Sequence, residues 1–260
     1  MIDKIYGRIV KLKGDRAKVT AALASARQLY LSDFFLFAKH CLGYKDLEWA
    51  VHGECVKALE SDAKKKLIVM PRGSFKSSLG SVAYPIWKLL RDPNATILLD
   101  SEIYTNSKNF LREIKGHIAS SKFIQVFGNI VGPKWDEGEI ILSTRTKNRK
   151  EASITVGGIE TTKVGQHYDL IIGDDYNSAQ NSDTPEKCQK VIDHFKYNLN
   201  ILNPGGEYLL IGTRYAELDV IGFLLSNVLD EKFLAEGKMI RGSPPYAENE
   251  DEGLLLLGGS

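Results

Sequence analysis

Met70-Pro71-Arg72-Gly73-Ser74-Phe75-Lys76-Ser77-Ser78 is the stretch on which the fold turns. It follows Leu67-Ile68-Val69, a short apolar run bounded by Lys64-Lys65-Lys66 and Pro71, which reads as a buried strand. After it a helical pattern runs from about Ser77 to Leu90. A turn between a buried strand and a helix aims backbone N–H groups and the positive helix end at one place, which suits an anion. In that frame Lys76 can reach the β- and γ-phosphates of a nucleotide, and the Ser77 hydroxyl can ligate Mg²⁺. The register departs from G-x-x-x-x-G-K-[ST]: Met70 and Phe75 stand at the two glycine positions, and Gly73 is displaced inside the loop. On the loop alone, nucleotide binding and a structural turn carrying an exposed lysine both stay open.

Two other strand ends carry complementary chemistry. Asp169-Leu170-Ile171-Ile172-Gly173-Asp174-Asp175 is an apolar strand ending in two acids. In a parallel sheet the C-terminal strand ends share one edge with the ligand-binding loops. There Asp174 can hold Mg²⁺, and Asp175 can orient or deprotonate an attacking water. An acid pair alone serves equally well as a cap, so its meaning comes from the Lys-Ser loop. The third end is Leu210-Ile211-Gly212-Thr213-Arg214-Tyr215, where Thr213 can sense a γ-phosphate and Arg214 can relay its loss.

Around these ends, strands and helices alternate. Thr96 to Leu99 reads as a strand, and Phe110, Ile114 and Ile118 mark a helix. Gly132-Pro133 reads as a loop, and two strands within 139–156 flank the basic linker Arg145 to Lys150. A helix opens at Thr184-Pro185, with Thr184 as N-cap. Upstream, residues 21 to 61 are helical in pattern, and Gly43 ends the first helix. The alternation predicts an α/β fold, a mostly parallel sheet flanked by helices. With the acid-bearing strand end, the loop predicts the P-loop NTPase form of that fold, of the ASCE/RecA-like kind. The expected divisions are an arm and helical lead-in at 1–60, an ATPase core at 61–242, and a linker or tail at 243–260. Glu248, Glu250, Asp251 and Glu252 read as a solvated tail.

Composition narrows the classes. The 34 Lys+Arg and 33 Asp+Glu leave a net charge of +1, which excludes a polycationic nucleic-acid coat but allows a local basic groove. Cys41, Cys55 and Cys188 are too few and scattered for a disulfide framework or a zinc site, and the histidines lack metal-ligand spacing. No apolar run approaches the roughly 18 residues that cross a bilayer. The first residues lack the apolar core of a signal peptide, so an intracellular chain is expected.

Taken as a set, these residues resemble the ATPase domain of tailed-phage large terminase subunits, the motors that pump DNA into procapsids. Pro71-Arg72-Gly73-Ser74-Phe75-Lys76-Ser77 is similar to that family's deviant phosphate loops, where an arginine precedes the glycine. The second glycine is replaced in some members. Gly165-Gln166-His167-Tyr168-Asp169, leading into Asp174-Asp175, resembles the acid-bearing region. Gly212-Thr213-Arg214-Tyr215 with Asp219 resembles the coupling motif, and the segment around Trp49 and His52 the lead-in. Two features depart: Asp175 stands where many relatives carry glutamate, and no upstream glutamine stands out to read adenine.

The resemblance implies Mg²⁺-dependent ATP hydrolysis that powers translocation of double-stranded viral DNA. Pro71, Arg72, Gly73, Ser74, Phe75, Lys76, Ser77 and Ser78 would bind ATP; Ser77 and Asp174 would hold the metal. Asp175, Arg72 and Lys76 would be catalytic, with Thr213 and Arg214 coupling. Arg72 could stabilise the γ-phosphate in cis, or sense it while a neighbouring subunit supplies an arginine. Arg145, Lys147 and Arg149 are candidates for that finger or, with Lys108, Lys122 and Lys134, for DNA-backbone contacts. The implied partners are double-stranded DNA, a portal protein and a small terminase subunit. The implied setting is a homo-oligomeric ring at the procapsid portal vertex in the host cytoplasm, with no membrane involved. An isolated chain could be monomeric. Too few residues follow the coupling region for the family's nuclease domain, so no nuclease activity is expected of this chain. The alternatives are a helicase- or recombinase-type P-loop ATPase, or a non-catalytic assembly module with a degenerate loop.

Overall fold

The computed structural model describes residues 16–161, 165–227, 237–242 and 254–259. Residues 1–15 of the expected arm at 1–20 and the four tail acids lie outside them, while residues 16–20 are helical rather than arm. The lead-in comprises α1 (Arg16–Ser32), α2 (Phe34–Leu36) with a π-helical turn over Phe37–Cys41, and α3 (Trp49–Glu60). Asp33 caps α2, its carboxylate accepting from the Leu36 amide at 2.8 Å. Just past the π turn Gly43 takes φ 87°, the left-handed exit that glycine permits.

β1 (Lys65–Val69) runs into the loop, then through a π turn over Ser78–Ala83 into α4 (Tyr84–Arg91). Next come β2 (Ile97–Ser101), α5 (Tyr104–Ile118), α6 (Ser121–Phe127), β3 (Val131–Trp135), β4 (Glu139–Leu142) and β5 (Ile154–Val156). β6 (Tyr168–Asp174), α7 (Pro185–Asn200), β7 (Leu202–Gly212) and α8 (Val220–Asn227) follow, with β8 (Gly237–Gly242) and β9 (Leu254–Gly259) at the end. Thr184 caps α7 as expected, with Pro185 in its first turn.

The strands form one sheet in the order β3-β4-β5-β2-β6-β7-β1-β9-β8. β5, β2, β6, β7 and β1 are mutually parallel, and the flanking pairs are antiparallel. This is the expected α/β class. β7 separates β1 from β6, so the two chemically loaded strands lie about 10 Å apart. Leu210 is level with Leu67 on one side and Gly173 on the other, which brings both strand ends to the same height.

Alternation along the strands feeds two cores. Ile68, Leu99, Ile172, Leu209 and Ile211 face the core shared with the lead-in and α4 to α6, where Trp87 Nε1 donates to the Tyr30 carbonyl at 3.0 Å. Leu67, Leu98, Ile171, Tyr208 and Leu210 face α7 and α8. Burial on both faces is why these strands read as unbroken apolar runs.

Two segments differ from their sequence reading. Gly132-Pro133 lies inside β3 rather than in a loop. Proline is tolerated because β3 is an edge strand, and glycine is required because a Cβ there would sit 1.9 Å from the Ile141 carbonyl oxygen. Residues 254–259, read as tail, pair antiparallel with β1.

Candidate active site

The loop after β1 and the acids after β6 meet at the C-terminal edge of the parallel strands. Ser77 donates to Asp174 Oδ1 at 3.0 Å, and Ser81, one helical turn on, donates to Asp174 Oδ2. Lys76, 6% exposed, reaches Asp175 Oδ2 at 3.6 Å. Four of the residues singled out from sequence therefore converge from segments far apart in the chain. Ser81 is the addition; its spacing of four from Ser77 places both hydroxyls on one helix face.

Asp174 is buried, and burial above all pushes its carboxyl up to about 7, with the Asp175 charge adding to the rise. The two serine hydroxyls and Lys76 oppose that rise without cancelling it. A desolvated carboxylate with a hydroxyl beside it suits a hard cation completed by phosphate oxygens and water. Asp175 Oδ1 is sealed from solvent with no hydrogen-bond partner. The residues present therefore fit Mg²⁺. Among the described residues no group of three or more His, Cys, Asp or Glu gathers as an all-protein metal site.

Backbone strain is concentrated here. Phe75 (φ 60°) and Asp175 (φ 44°) are the non-glycine residues with positive φ among the described residues. Such a conformation costs an L-residue about 1–2 kcal/mol and persists only where surroundings enforce it. For Phe75 the enforcement is aromatic: its ring packs edge-on against His52 at 5.3 Å and tilted against Tyr44 at 6.1 Å. The lead-in thus grips the loop where the standard pattern has its second glycine. Phe75→Gly and Phe75→Ala lose the same ring contacts, but only glycine relieves the strain. The glycine variant is therefore expected to be about 1 kcal/mol more stable than the alanine variant in urea unfolding. An advantage for alanine would remove the strain argument.

The third strand end is tied to the loop differently from the sequence reading. Thr213 Oγ1 donates to the Met70 carbonyl at 3.3 Å, and Arg214 is exposed without a hydrogen bond or ion pair among the described residues. Arg72 instead donates to the Tyr215 hydroxyl and lies 5.6 Å from that ring's centre. Buried Asp219 organises this segment, accepting from the amides of Tyr215 (2.8 Å), Ala216 (3.1 Å) and Gly222 (2.8 Å).

The basic run is not brought to this site. Arg149 pairs with Asp169, at the start of β6, and reaches Thr96 Oγ1 at 3.3 Å. Arg145 donates to the carbonyls of Lys147 (3.0 Å) and Glu151 (2.7 Å). Both arginines therefore lie at the opposite edge of the sheet, beside a cavity of about 380 Å³ that Lys147 also lines. Lys108 and Lys134 pair with Glu137 and Glu139, and Lys122 donates to the His40 carbonyl. Cys41, Cys55 and Cys188 are free and buried, and no described helix is long and apolar enough to cross a membrane.

No protein-family model and no curated protein matches the sequence. The chain spans about two fifths of the solved structure it resembles in fold, covering 41% of that chain with 76% of its own. That structure is the crystal structure of the HK97 bacteriophage large terminase, to which this fold is similar with a TM-score of 0.55 at 12% sequence identity.

Proposed function

We propose that this chain is a Mg²⁺-dependent ATPase of the large-terminase kind, its hydrolysis driving double-stranded DNA into a procapsid. The observation that carries the reading is the Ser77–Asp174 hydrogen bond, with Lys76 and Asp175 paired beside it across an intervening strand. Lys76 and the loop amides would neutralise the β- and γ-phosphates, while Ser77 and Asp174 hold the metal. Mg²⁺, when bound, would neutralise charge developing on the phosphates. Asp175, partly open to solvent, orients the attacking water; Thr213 sits between loop and acids as the sensor. Arg72 links the loop to Tyr215 and so transmits its state to the segment that Asp219 braces. DNA, a portal protein, a small terminase subunit and a ring of copies belong to this proposal. For DNA backbone it favours the opposite edge, where Lys147 is exposed beside the cavity.

Phosphate release from Mg·ATP tests the catalytic core. Turnover by the parent chain that falls about 10²-fold or more in Asp175→Asn supports it. Absence of both turnover and Mg·ATP binding overturns it.

A further inference from the structure

Behind the two acids lies a buried polar cluster that hydrolysis does not use. Asp100, in β2, is 3% exposed, and its Oδ2 accepts from Tyr176 Oη (2.8 Å), His194 Nε2 (2.5 Å) and Asn198 Nδ2 (2.7 Å). Tyr176 Oη also accepts from Asn198 Nδ2 at 3.0 Å and lies 3.1 Å from the Tyr208 hydroxyl. His194 and Asn198 are four residues apart, on one face of α7.

The cluster bears on Asp175 through chain geometry. Tyr176 directly follows Asp175, and its ring folds back over Gly173, where a Cβ would meet ring atoms at 2.6–2.9 Å. Asp175 sits inside that reversal at φ 44°, with its amide donating to the Ile211 carbonyl at 2.9 Å. Among the described residues, its side chain has no hydrogen bond or ion pair beyond the 3.6 Å approach of Lys76. A strained residue needs external enforcement, and the clamp on its neighbour supplies it.

We propose that Tyr176, clamped by Asp100, His194 and Asn198, is a positioning residue that holds Asp175 in its left-handed conformation and ties the acid to α7. The catalytic part of this proposal rests on Asp175 as the water-orienting acid, and the test separates the two. The first measurement is amide hydrogen exchange in Tyr176→Phe, which keeps the ring over Gly173 and loses only the hydroxyl. The Asp175 amide is expected to exchange about tenfold faster or more, with β2 and β7 amides unchanged. Unchanged exchange at Asp175, or faster exchange throughout the sheet, overturns the clamp. His194→Ala gives the same test from the helix side, and His194→Gln, which keeps a donor toward Asp100, is expected to restore parental exchange.

The second measurement is kinetic. With parental turnover present, Tyr176→Phe is expected to lower kcat about tenfold or more while KM for Mg·ATP stays within about twofold. A kcat equal to the parent's, or a loss confined to KM, overturns the positioning role. If the parent shows no turnover, the hydrolytic reading falls by itself and the exchange result still decides the clamp.

Discussion

Lys76→Ala is expected to lower ATP turnover by about 10³-fold while leaving the fold intact. Phosphoryl transfer asks a protein mainly for positioning and charge, so a cation aimed at the β- and γ-phosphates carries a large share of the acceleration. Lys76 is well placed for that role because it is almost wholly buried at the start of the helix after β1. Without nucleotide its one ionic neighbour among the described residues is Asp175, at 3.6 Å and 43% exposed. An ion pair that long and that solvated contributes about 1 kcal/mol at most. The variant's melting temperature should therefore move by only about 2–4 °C. Lys76→Arg is expected to fail almost as badly, since a planar guanidinium does not fit a pocket built for a point charge. Steady-state phosphate release and a thermal melt, run together, check this. Turnover within threefold of the parent would mean that the loop after β1 is not the phosphate site.

What the sequence makes legible follows from how each feature is encoded. Buried parallel strands appear as apolar runs ending in polar residues, so Leu67 to Val69, Leu170 to Ile172 and Leu209 to Ile211 announce both the sheet and its functional edge. Lys76, Ser77, Asp174 and Asp175 are legible because each stands next to such an end. The edge strand β3 is hidden because glycine and proline occupy it, and β9 because its leucines follow an acidic, loop-like stretch. The position of the basic run needed only topology. Arg145 to Lys150 leads into β5, which is parallel to β2, and a segment entering a parallel strand lies opposite the ligand loops. Tyr176 and Tyr44 carry no such signal, and for Tyr215 and His52, which fall in stretches with a sequence signature, nothing in that signature gives the contact they make. Their roles arise from contacts between residues far apart in the chain, and no spacing rule encodes those.

Asp174→Asn is expected to stabilise the nucleotide-free protein by up to about 4 kcal/mol at pH 8 while abolishing its response to Mg·ATP. The carboxyl is raised from 3.8 to about 7, chiefly by burial, and each unit corresponds to about 1.4 kcal/mol. The sign follows from proton linkage. Between about pH 4 and pH 7 the folded chain holds this proton and the unfolded chain does not, so the parent loses stability as pH rises through that window. Below about pH 4 both states are protonated, and asparagine offers no advantage. Above about pH 7 the parent carries a buried carboxylate that asparagine replaces with a neutral group of the same shape. Its carbonyl can still accept from Ser77, and its amide can donate to Ser81 in place of the present bond. Bound metal narrows the gap, because the ionised carboxylate is then the form required. At 100 times the dissociation constant, Mg·ATP would stabilise the parent by about 2.7 kcal/mol, and the variant much less. Urea unfolding at pH 4.5, 6 and 8, with and without Mg·ATP, reads both effects. A variant less stable than the parent at pH 8 without nucleotide would show that Asp174 serves the fold rather than the metal. A gap that widens with pH and narrows by more than half on adding Mg·ATP at that concentration is what a buried carboxylate kept for a cation predicts.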